Sequence, residues 1–91
     1  MSIKELINNP EVTIVDVRTP GEFMAENVVG SINIPLDEMM EREDELKALQ
    51  PMVMCCASGN RSGQAVAYLS ANGFDAVYNG GGWADVSALK A

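Results

Sequence analysis

The six residues Val12-Thr13-Ile14-Val15-Asp16-Val17 constrain this chain more than any other stretch. They form a near-continuous apolar, β-branched run rather than an alternating one, the pattern of a strand buried on both faces. Such a strand needs a layer of helices on each side. The rest of the sequence supplies strands and helices in alternation. Ser31-Ile32-Asn33-Ile34 (stopped by Pro35), Met52-Val53-Met54-Cys55 and Asp75-Ala76-Val77-Tyr78 read as further short strands. Ser2 with Glu5 is a capping box for a short helix through Leu6 that ends near Asn8-Asn9-Pro10. Thr19-Pro20-Gly21-Glu22-Phe23 places a cap, a proline at the first helical position and a carboxylate in the first turn of another.

From Leu36 to Gln50 a single helix is expected, with Leu36, Met39, Met40, Leu46 and Leu49 on one half and a solvated acidic face opposite. Pro51 ends it. Ser62 to Asn72, stopped by Gly73, reads as a helix, Gly80-Gly81-Gly82 as a turn, and Trp83 to Leu89 as a closing helix. The expectation is one three-layer α/β domain over residues 1–91. Its centre is a mostly parallel sheet of four to five short strands, with helices on both faces.

Composition narrows the function. Ninety-one residues, 47% hydrophobic and 21% charged, fit one globular domain with a radius of gyration of about 12 Å. No apolar run is long enough to span a bilayer, and the N-terminal stretch with Lys4 and Glu5 has no signal-peptide core, so neither a membrane partner nor secretion is expected. Six basic residues against thirteen acidic ones give a net charge of −7, which repels phosphate backbones and argues against nucleic acid. Histidine is absent, which removes Ser-His-Asp and Cys-His catalysis and most zinc and iron sites. The two cysteines, Cys55 and Cys56, are adjacent. They fit neither a disulfide framework nor a Cys-x-x-Cys motif, so a reducing cytoplasm is the expected setting.

The chemistry is expected in the loop Cys56-Ala57-Ser58-Gly59-Asn60-Arg61. It joins a buried strand to a helix at the carboxyl end of the sheet, where ligands of open α/β folds bind. A thiol there faces backbone N–H groups and the positive end of the helix dipole, and both favour thiolate. A fall of about two from a pKa of ~8.5 raises the thiolate fraction at pH 7 from roughly 3% to about 75%. Ser58, Gly59 and Asn60 suit an anion nest, and Arg61 can grip an oxyanion in bidentate fashion. The structural alternative, a cysteine that only packs at a strand end, does not explain the six-residue loop closing on Arg61-Ser62.

The stretch Cys56-Ala57-Ser58-Gly59-Asn60-Arg61-Ser62 resembles the active-site loop of the rhodanese (thiosulfate sulfurtransferase) family. Asp16-Val17-Arg18-Thr19-Pro20-Gly21-Glu22-Phe23, Gly30-Ser31-Ile32-Asn33-Ile34-Pro35-Leu36 and Gly81-Gly82-Trp83 resemble it too, in the family's order and spacing. The resemblance implies that Cys56 takes sulfur from a small anionic sulfane donor as a persulfide and passes it to cyanide or a thiol, with a protein acceptor as a further option. It implies that the N–H groups of Ala57, Ser58, Gly59, Asn60, Arg61 and Ser62 steady the persulfide, that Arg61 orients the donor, and that no metal or organic cofactor takes part. A monomer is expected. The family also contains phosphatases and inactive modules, so a non-catalytic binding module is the alternative. Two positions depart from the family pattern: Asn27 stands nearest to a frequent histidine, and Ala57 stands where many thiosulfate-using relatives carry a basic residue.

Counting from Cys55 instead leaves five residues before Arg61, the spacing of cysteine phosphatases and arsenate reductases. That reading requires Cys55 to leave the strand, and it lacks the preceding histidine, since Met54 stands there. Core packing under the loop is the expected role of Cys55, with transient oxidation against Cys56 a further option. Asp16 and Arg18 are expected to form an ion-pair or hydrogen-bond network supporting the loop from below, with substrate contact by Arg18 the less favoured reading. Trp83 is expected to anchor the last helix, and Met24, Met39 and Met40 to be apolar filling.

Overall fold

A computed structural model describes all of residues 1–91. Four parallel strands, β1 (Thr13–Asp16), β2 (Ile32–Asn33), β3 (Met52–Cys56) and β4 (Val77–Gly82), lie in the order β2-β1-β3-β4. Five α-helices accompany them: α1 (Ile3–Ile7), α2 (Pro20–Ala25), α3 (Glu43–Ala48), α4 (Asn60–Ala71) and α5 (Trp83–Leu89). The radius of gyration is 11.6 Å. No helix is long and apolar enough to cross a membrane.

The central strands are buried because each face of the sheet carries its own apolar layer. Val15, Met52, Met54 and Cys56 turn toward Leu46, Ala65, Leu69 and Phe74 on the α3/α4 side. Ile14, Val53 and Cys55 turn toward Leu6, Ile7 and Val86 on the α1/α5 side. Successive strand residues point to opposite faces, so β3 feeds both layers and all five of its residues are buried. The start of each of the first two helices follows its cap: Ser2 and Glu5 form the reciprocal capping box of α1, and Thr19 and Glu22 that of α2.

Three expectations are corrected. The stretch expected as one helix from Leu36 to Gln50 is a 3₁₀ segment over Leu36–Arg42 followed by α3. In a 3₁₀ turn residues three apart eclipse one another, so Leu36 and Met39 face the core while Met40 is swung about 120° outward. Met40 is accordingly 72% exposed and is not filling. Met24 is 81% exposed as well, because α2 has no buried residue. The glycine run is not a turn. Gly80, Gly81 and Gly82 continue β4 past Tyr78, with a register shift opposite Met54/Cys55. A Cβ on Gly80 would lie 2.7 Å from Val53 Cγ1 and 2.9 Å from Val86 Cγ2, so the strand approaches the core too closely for a side chain there.

Candidate active site

β3 ends at Cys56 and α4 starts at Asn60, so Ala57-Ser58-Gly59 must reverse the chain in three residues. Gly59 makes the turn with φ +97°, in the left-handed region that favours glycine. The space is also tight, since a Cβ there would lie 3.1 Å from Gly81 Cα. Gly59 caps α4 but has no side chain to accept the free N–H groups of the first turn. The sulfur of Cys56 takes that place. Sγ accepts from Gly59 N–H at 3.0 Å and Ser62 N–H at 3.4 Å, and the Ser62 hydroxyl lies 3.4 Å away.

Burial alone pushes the Cys56 thiol up. The Ser62 hydroxyl, the Ser62 N–H and the N–H groups of Ser58 and Gly59 outweigh it and bring the pKa from 9.0 down to about 7. About half of the sulfur is then thiolate at pH 7, held on the floor of the loop where Cys56 is 1% exposed. An ionised sulfur surrounded by fixed N–H donors can attack an electrophilic sulfur and can carry an anionic product.

The adjacent thiol is shifted the opposite way. Cys55 belongs to the α1/α5 layer, and burial followed by the neighbouring Asp16 carboxylate pushes its pKa up to about 12. Both cysteines are free, and their side chains leave β3 on opposite faces of the sheet.

The remaining expected site residues fall into two groups. Ala57, Ser58 and Asn60 line the exposed rim of the loop, and Ser62 is buried beneath it. The Ala57 carbonyl abuts Gly82, where a Cβ would come within 2.9 Å of it. Arg61 is not the free anion clamp that its position suggests. Its Nη1 and Nη2 donate to the two carboxylate oxygens of Glu22 at 2.8 and 3.1 Å, so one bidentate edge of the guanidinium is taken and its charge is paired. Glu22 in turn accepts from the Thr19 N–H and hydroxyl at 3.1 Å each. Arg61 and then the Thr19 N–H hold its carboxyl down at about 2.

Asp16 and Arg18 form an ion pair, and it is buried, with Arg18 Nε donating at 3.0 Å and Nη2 at 2.8 Å. The pair lies on the Cys55 side of the sheet, because Asp16 is the register partner of Cys55. The Arg18 guanidinium also donates to the Glu26 carbonyl and stacks 5.0 Å from the Trp83 ring. Trp83 follows Gly82, which abuts the Ala57 carbonyl of the loop. At 4% exposure Arg18 offers nothing to a substrate. Trp83 is half-buried against the α1/α5 layer.

Sequence reading missed two residues. The sequence marks Glu22 only as a carboxylate in the first turn of α2. Asn79, on β4, accepts from the Ser62 hydroxyl at 2.7 Å and from Gly81 N–H at 3.0 Å, and donates to the Gly59 carbonyl at 3.1 Å. No local pattern marks Asn79, since its position over the loop comes from the β3/β4 register. Beside Arg61 a cavity of about 300 Å³ is lined by Val17, Thr19, Pro35, Leu36, Asp37 and Arg61.

Comparison with known proteins gives the same outline. Residues 2–89 match the rhodanese-like domain family. The thiosulfate sulfurtransferase PspE of Escherichia coli is 38% identical over 84 residues, covering 84% of this chain and 75% of PspE. The uncharacterized protein YqhL of Bacillus subtilis is 36% identical over 66 residues, covering 72% of this chain, and the chain spans about half (52%) of YqhL. A solved structure described as a rhodanese with anions from E. coli superposes with a TM-score of 0.73 at 38% identity, covering 81% of this chain and 89% of that one.

Proposed function

The chain belongs to the rhodanese-like domain family, and from that premise we propose that it is a sulfurtransferase working through a persulfide on Cys56. The Cys56 thiolate attacks the outer sulfur of thiosulfate or a related sulfane donor. A new S–S bond forms, the donor's S–S bond breaks, and its electron pair leaves on sulfite. The terminal sulfur of the persulfide keeps the negative charge. Cyanide or an acceptor thiolate then attacks that sulfur, leaves as thiocyanate or a new persulfide, and returns Cys56 as thiolate. Protons are needed at neither displacement, which suits a site without histidine.

The observation that carries this reading is the ring of N–H donors around Cys56 Sγ at the mouth of α4. The same donors that favour thiolate favour the persulfide anion. Thiosulfate is a weak donor in this proposal. The loop has Ala57 where a basic residue would help, Arg61 is neutralised by Glu22, and the net charge is −7. A persulfide on a neutral thiol or on a protein suits such a surface better. The chain acts as a monomer in a reducing compartment, where both thiols stay free.

Intact mass after exposure to thiosulfate and to the persulfide of an uncharged small thiol tests the proposal. The expected product gains about 32 Da, one sulfur. Cys56→Ser loses the adduct and Cys55→Ser keeps it. No adduct with either donor, or an adduct retained in Cys56→Ser, rejects the reading. The phosphatase reading through Cys55 has no support in the geometry, because that thiol lies on the far face of the sheet.

A further inference from the structure

The Ser62 hydroxyl has one proton and two claimants. Its oxygen lies 2.7 Å from Asn79 Oδ1 and 3.4 Å from Cys56 Sγ. The Asn79 amide is oriented by backbone groups whose roles are fixed: the Gly81 N–H points at Oδ1 from 3.0 Å, and Nδ2 points at the Gly59 carbonyl from 3.1 Å. Oδ1 is therefore an acceptor, and at 2.7 Å the hydroxyl proton lies on it. In that arrangement Ser62 can only accept from Cys56, which requires a neutral S–H. When Cys56 ionises, the hydroxyl must turn and donate to sulfur. Oδ1 keeps the Gly81 N–H, so the turn leaves no polar atom without a partner.

We propose that Asn79 is a positioning residue for Cys56: it holds the Ser62 proton while the sulfur is a thiol and yields it when a thiolate or persulfide anion forms. The other donors to Sγ are backbone N–H groups fixed by the loop and by α4. The hydroxyl is the one donor that can move. Gly59 does not depend on Asn79 for its place, since its carbonyl also accepts from Gly63 N–H at 2.9 Å.

This arrangement fixes a sign. An acceptor that binds the hydroxyl only in the thiol state favours the thiol, so removing Asn79 favours the thiolate. A purely structural role predicts the reverse, because a loosened loop loses donors to the sulfur. The ionisable groups around the cradle are Arg61 of α4 with Glu22 of α2, Cys55 of β3, Asp16 and Arg18 at the end of β1, Asp37 of the 3₁₀ segment, and Asp85 of α5 beside Gly82. Replacing Asn79 by alanine changes none of them.

The test is the pH dependence of iodoacetamide alkylation at Cys56, read by intact mass, in wild type, Asn79→Ala, Ser62→Ala and the double variant. Asn79→Ala is expected to lower the alkylation midpoint by about 0.5–1 pH unit, the size of one contested hydrogen bond. Ser62→Ala raises the midpoint, and in that background Asn79→Ala has no further effect. Asn79→Asp keeps an acceptor and adds charge, so it raises the midpoint, and by less once Ser62 is alanine. That variant carries the test if Asn79→Ala fails to fold. An unchanged or raised midpoint in folded Asn79→Ala, or equal Asn79 effects with and without the Ser62 hydroxyl, overturns the proposal. The inference rests on Cys56 as the reacting thiol but needs no sulfur donor. An Asn79 effect without any sulfur adduct would therefore reject only the sulfur-transfer reading.

Discussion

Two neighbouring thiols differ in acidity because each sees a different side of one strand. Cys56 looks into N–H donors and Cys55 into an apolar layer beside a carboxylate. Alkylation of the native protein should therefore rise about tenfold per pH unit below 7 and level off above 8, with one thiol modified. Peptide mapping should find the label on Cys56 alone; labelling of Cys55 in the native state would contradict the geometry. The two shifts also act on stability with opposite signs. The lowered pKa of Cys56 adds stability as pH rises from about 7 to 9, because over that window only the unfolded chain keeps the proton. The raised pKa of Cys55 removes stability as pH climbs from 9 toward about 12. Urea midpoints in Cys55→Ser should fall less on the alkaline side than in wild type. Arg61 belongs at this scale too. Glu22→Gln keeps the capping box, which accepts glutamine, and releases the guanidinium from a full charge. The KM for thiosulfate in a steady-state assay should fall about threefold to tenfold. An unchanged KM would mean that Arg61 serves the loop's shape rather than the donor. That carboxyl protonates only near pH 2, so the pair persists across the neutral range, and its contribution fades as pH falls from 4.5 toward 2.

At the level of elements, what could be read in advance was what local chemistry decides. Ser2 with Glu5 and Thr19 with Glu22 place two helix starts, Trp83–Leu89 has the expected ends, and the β-branched run of β1 announces a strand with two buried faces. What escaped was decided by neighbours far along the chain. Gly80–Gly82 look like a turn in isolation but continue the pairing with β3, and Val53 and Val86 leave no room for a side chain at Gly80, nor the Ala57 carbonyl at Gly82. The break in the 36–50 segment has no glycine or proline to mark it, although Arg42 sits at the junction and grips both Glu38 and Glu45. Of the site, the loop from Cys56 to Ser62 was legible because one short segment supplies both sulfur and donors. Asn79 was not, since the β3/β4 register brings it there. The loop itself depends on Gly59. Gly59→Ala should cost about 1–3 kcal/mol in urea unfolding, from the left-handed backbone and the contact with Gly81, and should slow adduct formation on Cys56. A variant with wild-type stability would show that the turn can relax.

Across the whole molecule, charge and layering set the behaviour. A net charge of −7 repels a dianion before it reaches any cradle. Raising salt from about 10 to 150 mM shortens the Debye length from about 30 to 8 Å. Initial rates with thiosulfate should then increase, while rates with an uncharged donor should stay level. A fall with thiosulfate would reveal a local positive site stronger than the global field. The sheet divides the interior into two separate apolar layers, and β3 presents one thiol to each. Consecutive residues thus carry a reporter and an internal clock. The first is consumed in the intact fold, whereas the second becomes titratable only when the α1/α5 cover lifts from the sheet. The lag between the two modifications, read on a single peptide, times how often the centre of the protein opens.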